Sequence, residues 1–193
     1  MIRYSTVTSN EELEGIHTLL QKNLGSNLTP EEKTREGYLT VYYSPEDLRK
    51  MHDAEPGIIA KENDQVVAYV LAMTPGFRSG FPVLEPLFQI FDQIIYENKP
   101  VSSYHYLIVG QACIDKNYRG KGLLRKLYAA YARQFSVRYD FAISEIASKN
   151  LRSMNAHKRM GFSPVHEYNG PDGVQWTIVL LDWRHIEQNH SQK

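Results

Sequence analysis

The chain has 193 residues, of which 42% are hydrophobic and 23% charged, a balance typical of one globular domain with a substantial core. Its 22 basic and 22 acidic side chains cancel, whereas a general nucleic-acid binder usually carries a basic excess, so we expect no nucleic-acid partner. No apolar run approaches the roughly 18 residues of a membrane span, and the polar N-terminus lacks the apolar core of a signal peptide. The single cysteine, Cys113, excludes an intramolecular disulfide, and we expect a cytoplasmic protein without membrane contact.

The first third of the sequence predicts one strand followed by short helices. Residues 2–8 alternate between apolar and polar side chains, as in a half-buried strand. Residues 9–12 have the Ser-x-x-Glu pattern of a capping box, and the helix that follows would end at Gly25. The same start signal recurs at residues 29–32 and 44–47, each time with proline at the first helical position.

The remaining elements alternate between strands and helices. They are a hairpin over 57–75 that turns at Asn63–Asp64, a helix over 83–97, a strand over 104–114, a helix over 120–135, a strand over 141–147, a helix over 150–160 and a strand over 174–183. Gly110 lies inside the strand over 104–114, which suggests a β-bulge. This order predicts an α/β fold with a mixed sheet, formed by a single domain over residues 1–186 with a fraying polar tail over 187–193.

The stretch NYRGKGLLRKLY, residues 117–128, places several cations at the start of a helix, where the helix dipole disfavours positive charge. The first N–H groups of a helix lack internal partners and attract phosphate. Gly120 and Gly122 would let an anion approach the backbone, and Arg119 and Lys121 would add charge. The stretch therefore indicates a site for a phosphorylated cofactor, with a flexible turn and a solvated cationic face as the alternative. A nucleotide P-loop would need Ser or Thr after Lys121.

The helix predicted over 150–160 has a mostly polar stripe where a core helix would carry aliphatic side chains. The stripe consists of Asn150, Ser153, Met154 and His157. Such a stripe is expected to line a ligand or water, with Met154 packing. For His157 alone, a hydrogen-bonded core histidine is the alternative.

Together, the two motifs make residues 104–162 resemble the GNAT superfamily of N-acetyltransferases. The family's acetyl-CoA loop, Q/R-x-x-G-x-G/A, is matched by Arg119 and Gly122, whereas its last small residue is here Leu124. The family's next signature is matched by Asn150, Ser153, His157, Gly161 and Phe162. The resemblance implies a GNAT-like mixed β-sheet of about six to seven strands, flanked by helices, with a splayed central strand pair.

The resemblance also implies where acetyl-CoA would lie as cosubstrate, without a metal. Its pantetheine arm would pair with the main chain of the central strand and bind Asn150, near Ser153, and its pyrophosphate would sit on the loop. The implied cofactor-binding residues are Ala112, Cys113, Ile114, Arg119, Gly120, Lys121, Gly122, Leu123, Leu124, Asn150 and Ser153. The main-chain N–H of Leu124 would still donate despite its larger side chain.

The implied reaction is direct attack of a neutral primary amine on the thioester of acetyl-CoA. Gln111 cannot act as a base, so Glu145, which interrupts an apolar strand, is the candidate base, with a structural carboxylate as the alternative. His157 stands where many family members have tyrosine and is the candidate acid for the leaving thiolate. Cys113 is interpreted as a core residue.

The acceptor and the oligomeric state stay open at the level of sequence. A small-molecule amine and a protein amine are equally compatible with the residues. The apolar helix within residues 76–103 suits an acceptor pocket, a homodimer contact or plain core packing. A catalytically idle acyl-CoA-binding module, acting as a sensor or scaffold, is the alternative function if Glu145 and His157 are structural.

Overall fold

The computed structural model describes residues 1–79, 84–170 and 173–184, which form a seven-stranded sheet with helices on both faces. The strands of this sheet are β1 (Arg3–Thr6), β2 (Ile58–Glu62), β3 (Gln65–Met73), β6 (Tyr106–Ile114), β7 (Phe141–Ala147), β8 (Ser163–Asn169) and β9 (Gln175–Asp182). The α-helices are α1 (Asn10–Asn23), α2 (Pro30–Glu36), α3 (Pro45–Ala54), α4 (Glu85–Gln93), α5 (Leu123–Phe135) and α6 (Leu151–Arg159). Two short strands, β4 (Ile95–Tyr96) and β5 (Lys99–Pro100), form a separate hairpin.

The sheet is mixed because two antiparallel halves meet at one parallel strand pair. Its order is β1-β2-β3-β6-β7-β9-β8, and only the β6–β7 pair is parallel among the pairings of the described strands. That pair is joined through α5, as a parallel connection requires a crossover. The mixed α/β sheet predicted from the sequence is thus confirmed, with seven strands.

The central pair, β6 and β7, is splayed. The two strands pair only over Tyr106–Ile108 and Phe141–Ile143, although β6 continues to Ile114 and β7 to Ala147. The register between β3 and β6 skips Gly110, which is the bulge that the glycine predicted. A Cβ on Gly110 would lie 2.8 Å from the terminal methyl of Met51, so a larger residue would have to displace that methyl. The bulge and the short pairing together open a gap at the carboxyl ends of β6 and β7.

Helix starts follow the predicted caps, with one difference. The hydroxyls of Thr29 and Ser44 each accept from the backbone of the third helical residue, whose carboxylate accepts back from the cap. At α1, Ser9 accepts from the backbone of Glu12, but the Glu12 carboxylate accepts from Thr8 and pairs with Lys61 instead. The expected box at α1 is therefore only half formed, because a cation on the neighbouring strand competes for the carboxylate.

Hydrophobic cores lie on both faces of the sheet. One face buries α1, α3 and α4 against the strands and contains Ile16, Met51 and Phe91. The other face buries α5, whose Leu127 and Phe135 are fully covered. The long α5 is thereby fixed with its first turn at the end of the splayed strand β6, which places the glycine loop beside the gap.

Two expectations about elements were wrong. The helix expected over 83–97 ends at Gln93, and Ile95 is 64% exposed in the β4–β5 hairpin. The β-branched pair Ile94–Ile95 and a turn at Glu97–Asn98, with positive φ at both residues, favour a hairpin there. Strand β8 was not predicted, because residues 163–169 are exposed or only partly buried and carry no apolar alternation. The domain boundary at 186, the tail over 187–193 and the predicted helix start at 83 lie outside the described residues.

Candidate acetyl-CoA and acyl-transfer site

A cleft of about 490 Å³ opens where β6 and β7 diverge. The cleft is bounded by the end of β6, the glycine loop, the exposed side of α6 and the residues just after α2. Its lining includes ten of the eleven residues predicted for cofactor binding: Ala112, Cys113, Ile114, Arg119, Gly120, Gly122, Leu123, Leu124, Asn150 and Ser153. His157 lines it as well, whereas Lys121 does not. The structure thus brings the two sequence motifs to one cavity.

The glycine loop leaves its main chain accessible. Gly120 and Gly122 have φ of +75° and +76°, the left-handed region that favours glycine. A Cβ at either position would meet no atom within 4 Å, so packing does not explain the missing side chains. Helix α5 begins at Leu123, and its first turn is closed by the bond from the Lys126 N–H to the Gly122 carbonyl. The N–H groups before Lys126 thus have no partner one turn earlier, and the loop fits a phosphate group.

Leu124, the residue that departs from the family's small one, is half-buried. Its side chain packs against the core cluster that holds α5 to the sheet, and it also borders the cleft. The larger side chain is therefore shared between the core and the edge of the cleft, in the cluster that also contains Leu127 and Tyr128.

The guanidinium of Arg119 is turned toward the protein. Nη1 donates to the carboxylate of Glu36 at 2.6 Å and to its carbonyl at 3.0 Å. Nη2 donates to Oδ1 of Asn23 at 2.7 Å, and Nε donates to the carbonyl of Ile114 at 3.0 Å. The side chain is only 15% exposed. The sequence predicted a charge facing phosphate, whereas here the charge joins the loop to α1 and α2.

Lys121 is exposed, and its ammonium lies 5.1 Å from the ring centroid of Tyr118. Such cation–π contacts at exposed sites are weak, at roughly 0.5–1 kcal/mol. Its charge therefore contributes to the loop from the rim rather than from within the cleft.

Asn150 is buried and links the second motif to the residues after α2. Its Oδ1 accepts from the backbone N–H of Ser153 and so caps α6, as expected of asparagine at a helix start. Its Nδ2 donates to the carbonyl of Tyr38 at 3.2 Å. The side chain predicted to bind pantetheine therefore borders the cleft, and both its Oδ1 and its Nδ2 already have hydrogen-bond partners in the protein.

His157 is buried between α5 and α6. Its Nδ1 lies 2.9 Å from the carbonyl of Ser153, which only accepts, so Nδ1 carries the proton. Its Nε2 lies 2.8 Å from the hydroxyl of Tyr128 and accepts from it. Burial lowers the pKa of His157, although the Ser153 bond opposes the shift, so the ring is neutral near pH 7. Both ring nitrogens thus have protein partners.

Glu145 lies at a smaller recess of about 80 Å³ that shares Ala112, Ser153 and His157 with the main cleft. The hydroxyl of Tyr168, on β8, donates to its carboxylate. Trp176, on β9, lines the same recess. Glu145 therefore lies beside residues of the second motif, in a recess that no residue of the glycine loop lines.

Gln111 and Cys113 line these cavities without features of reactive groups. The Gln111 side chain accepts from Tyr69 at 2.6 Å and donates to the carbonyl of Val41 at 2.8 Å. Burial raises the pKa of the Cys113 thiol to about 12, although the Arg119 charge opposes the shift. Cys113 is thus a neutral thiol, consistent with its interpretation as a core residue.

Several residues of the site were not found from the sequence. Glu36, Asn23 and Tyr168 contact motif residues from elements far away in the chain, and no local pattern marks them. Tyr38 also lines the cleft and comes from the segment after α2, whereas the nearby Tyr42 is exposed, with its hydroxyl 3.1 Å from Nε2 of His17.

The described residues, 1–79, 84–170 and 173–184, contain no group of three or more histidine, cysteine or acidic side chains arranged to hold a metal ion. Within the same ranges, no helix is both long and apolar enough to cross a bilayer.

The mixed sheet with a splayed parallel pair and the open glycine loop in the resulting cleft agree with the GNAT-like fold that the sequence resembles. The model of the acetyltransferase (GNAT) family matches residues 26–162, more than half of the chain. The chain belongs to the GNAT acetyltransferase family. No curated protein sequence matches it.

Solved structures share the fold at low sequence identity. The ribosomal-protein-S18-alanine N-acetyltransferase from Escherichia coli is 12% identical, with a TM-score of 0.61 over 94% of each chain. NAA60 from Arabidopsis thaliana, solved in complex with acetyl-CoA, is 13% identical, with a TM-score of 0.62 over 94% of this chain and 99% of that chain. A chain of the NatC complex bound to Gag peptide and CoA is 16% identical, with a TM-score of 0.63 over 94% and 98%. These similarities concern the fold.

Proposed function

We propose that the protein is an N-acetyltransferase that transfers the acetyl group of acetyl-CoA to a primary amine by direct attack in a ternary complex. The observation that carries this proposal is the pair of left-handed glycines, Gly120 and Gly122, whose missing side chains leave open space at the start of α5. Their positive φ favours glycine, and the open space beside them, at the start of α5 and in the cleft, would let a pyrophosphate reach the main chain.

In this proposal, the N–H groups from Gly120 to Leu124 bind the pyrophosphate of CoA, with Lys121 adding charge from the rim. The pantetheine arm runs along the end of β6, beside Ala112, Cys113 and Ile114, where β7 has diverged and no longer pairs with the strand. Asn150 and Ser153 border the opposite wall on α6. The cleft reaches the glycine loop, and it shares Ala112, Asn150, Ser153 and His157 with the recess at Glu145, which supports an extended ligand lying from the loop to the recess.

Acetyl-CoA supplies an activated acetyl group as a thioester, and an amine attacks it only when its lone pair is free. Glu145 is the proposed base, because its carboxylate lies at the acyl end of the cleft. The hydroxyl of Tyr168 holds one of its oxygens in place. A carboxylate held in this way can take the proton from the amine directly or through water. An amine of either a small molecule or a protein fits this chemistry.

His157 remains the proposed acid for the leaving thiolate, under a condition that the geometry sets. The only proton on the neutral ring is at Nδ1, where it is donated to the Ser153 carbonyl. Donation to the thiolate requires this bond to open, while the Tyr128 hydroxyl continues to hold Nε2. The neutral ring would therefore assist by donating a hydrogen bond from Nδ1 to the leaving thiolate, and the proton that Glu145 removes from the amine balances the thiolate's charge.

One observation favours a second candidate function, a non-catalytic module that binds acyl-CoA. Both proposed proton-transfer groups, Glu145 and His157, already have protein partners in the structure. A sensor or scaffold would keep the cofactor contacts and need no free acid or base. Both candidate functions require CoA binding, but only the acetyltransferase would turn over acetyl-CoA.

The experiment that separates them measures thiol release from acetyl-CoA with a panel of amines, including small amines and peptides with a free N-terminus or lysine. We expect amine-dependent thiol release with at least one acceptor and acetylation of that acceptor by mass spectrometry. Binding of acetyl-CoA in calorimetry without turnover on any amine would favour the module. Absence of CoA binding would overturn both candidates.

A further inference from the structure

Residues 37–43 connect α2 to α3, and we call them the strap. They form one wall of the cleft at the end near Glu145, which is the acyl end in the proposed function. Gly37, Tyr38 and Leu39 line the main cleft. Tyr38 and Leu39, with Thr40 and Val41, also line the recess that contains Glu145. Among the described residues that line the two cavities, the strap is the only segment before β6 that borders both of them.

The strap is held by side chains of the two cofactor motifs and of β6. The Asn150 amide donates to the carbonyl of Tyr38, and the Gln111 amide donates to the carbonyl of Val41. The Tyr43 hydroxyl donates to the carbonyl of Gly110 at 3.3 Å. These three bonds attach the strap to the splayed strand and to α6 at successive points.

The N-terminal end of the strap is held by Arg119. The Arg119 guanidinium bonds Glu36, the residue immediately before the strap, through both its carboxylate and its carbonyl. It also bonds Oδ1 of Asn23, whose own carbonyl accepts from the backbone N–H of Leu39 at 2.9 Å. Leu39 in turn accepts from the N–H of Gly25 at 2.8 Å. One side chain thus reaches the strap by two routes, through Glu36 and through Asn23.

Four hydrogen bonds from one guanidinium leave it little capacity for a phosphate. The Glu36 carboxylate also places a negative charge beside the Arg119 guanidinium, and this charge would repel a phosphate there. A planar guanidinium can donate several hydrogen bonds in fixed directions, which the flexible ammonium of lysine cannot do. The geometry therefore suits Arg119 for fixing protein groups.

We propose that Arg119 is a positioning residue that acts through Glu36 and Asn23 to fix the strap as the wall of the acyl end, where the acceptor must enter. This proposal rests on the proposed function, since it assumes that the cleft holds acyl-CoA. It assigns recognition of CoA phosphates to the main chain of the glycine loop, and it assigns the shape of the acceptor entrance to the Arg119–Glu36 pair.

The test is a double-mutant cycle of Arg119→Gln, Glu36→Gln and the double variant, read by amide hydrogen exchange of the strap and by calorimetric titration with CoA. Each single variant should speed strap exchange by about tenfold, the value of one charge-assisted hydrogen bond. The double variant should add little further, because the residues act as a pair. The CoA dissociation constant should change by less than about threefold in Glu36→Gln and Arg119→Gln, since main-chain donors hold the phosphates.

Arg35→Gln is the matched control, because Arg35 is 72% exposed and pairs with the other oxygen of the same Glu36 carboxylate. Exposed pairs contribute little, so strap exchange should stay at the wild-type rate. Exchange in α5 serves as the internal reference, since general destabilisation would raise it together with that of the strap.

Unchanged strap exchange in both single variants would overturn the proposal, as would additive effects in the double variant. A CoA affinity that falls more than about tenfold in Arg119→Gln but is kept in Glu36→Gln would make Arg119 a phosphate ligand instead. If the wild-type protein binds no CoA, the proposed function fails, whereas strap exchange measured without CoA still decides whether the pair fixes the strap.

Discussion

The two ends of the cleft are built in opposite ways. At the glycine loop, the space around Gly120 and Gly122 is open, and the donors toward the cleft belong to the main chain. At the acyl end, Glu145 and His157 have hydrogen-bond partners on other elements. In the proposed function, the loop would bind the phosphorylated cofactor without rearrangement. The end near Glu145 and His157 is a hydrogen-bonded network whose geometry depends on distant parts of the chain, and the proposed reaction would require some of these bonds to open.

The largest expected effect comes from closing the loop. In Gly122→Glu we expect CoA affinity to fall by at least about a thousandfold, because a carboxylate would stand where a phosphate approaches and like charges cost several kcal/mol. Calorimetric titration with CoA measures the effect.

The matched control is Gly173→Glu, since Gly173 also has positive φ and open space around it but lies away from the cleft. It should lose similar stability and keep CoA affinity. Equal affinity in the two variants would show that the loop is not the phosphate site.

The next largest effect is expected at the acyl end. Glu145→Gln should lower kcat by about a hundredfold, the usual contribution of a positioned base, while the dissociation constant of CoA stays constant. The assay is thiol release with the most reactive amine of the panel. Glu167→Gln, on the exposed side of β8, is the control and should retain full kcat. Retained kcat in Glu145→Gln would make that carboxylate structural.

A third prediction concerns the network around His157. Burial lowers its pKa in the folded protein, so its contribution to the free energy of unfolding is fully present above its unfolded pKa of about 6.5 and is lost as the pH falls through the folded value. Urea unfolding should therefore show stability that declines from pH 7 toward pH 5.

In His157→Gln, this decline should flatten, and stability at pH 7 should fall by about 1–3 kcal/mol because the Tyr128 hydroxyl and the Ser153 carbonyl lose their partner. The exposed His105 provides the control His105→Gln, which should keep the wild-type pH dependence. An unchanged decline in His157→Gln would contradict the assignment of a buried neutral imidazole.

The smallest expected effect is at the rim of the loop. Lys121→Ala should weaken CoA binding by only about two- to fivefold, because solvent screens the attraction between an exposed cation and the phosphates. The difference from the wild-type protein should vanish in high salt, which screens this attraction further. Lys99→Ala, an exposed lysine on β5, should have no effect. A large, salt-insensitive loss in Lys121→Ala would mean that side-chain charge, rather than the main chain, holds the phosphates.

The same contrast explains what the sequence could and could not predict. Glycines followed by an amphipathic helix are a local pattern, and the cleft lies at the loop that this pattern marks. The bulge at Gly110 was likewise predicted from one residue within a strand. The partners of Arg119 and Glu145 are Glu36 and Tyr168, which are 83 and 23 residues away in the chain. Tertiary packing alone brings them together.

Strand β8 was missed for a related reason, since an edge strand with few buried residues has no apolar pattern to mark it. Its absence from the prediction also removed Tyr168 from the expected site. The end of α4 was misjudged because the apolar periodicity of residues 87–95 continues past Gln93, where the chain turns into a hairpin.

The most direct test of the cleft as the acyl-CoA site is a crystal structure of the protein with acetyl-CoA. We expect pyrophosphate oxygens within about 3 Å of the N–H groups between Gly120 and Leu124, and the thioester in the gap between the ends of β6 and β7, beneath the strap. Acetyl-CoA bound elsewhere, for example in the groove between α1 and α3 near His17, with the glycine loop free of phosphate, would contradict this assignment.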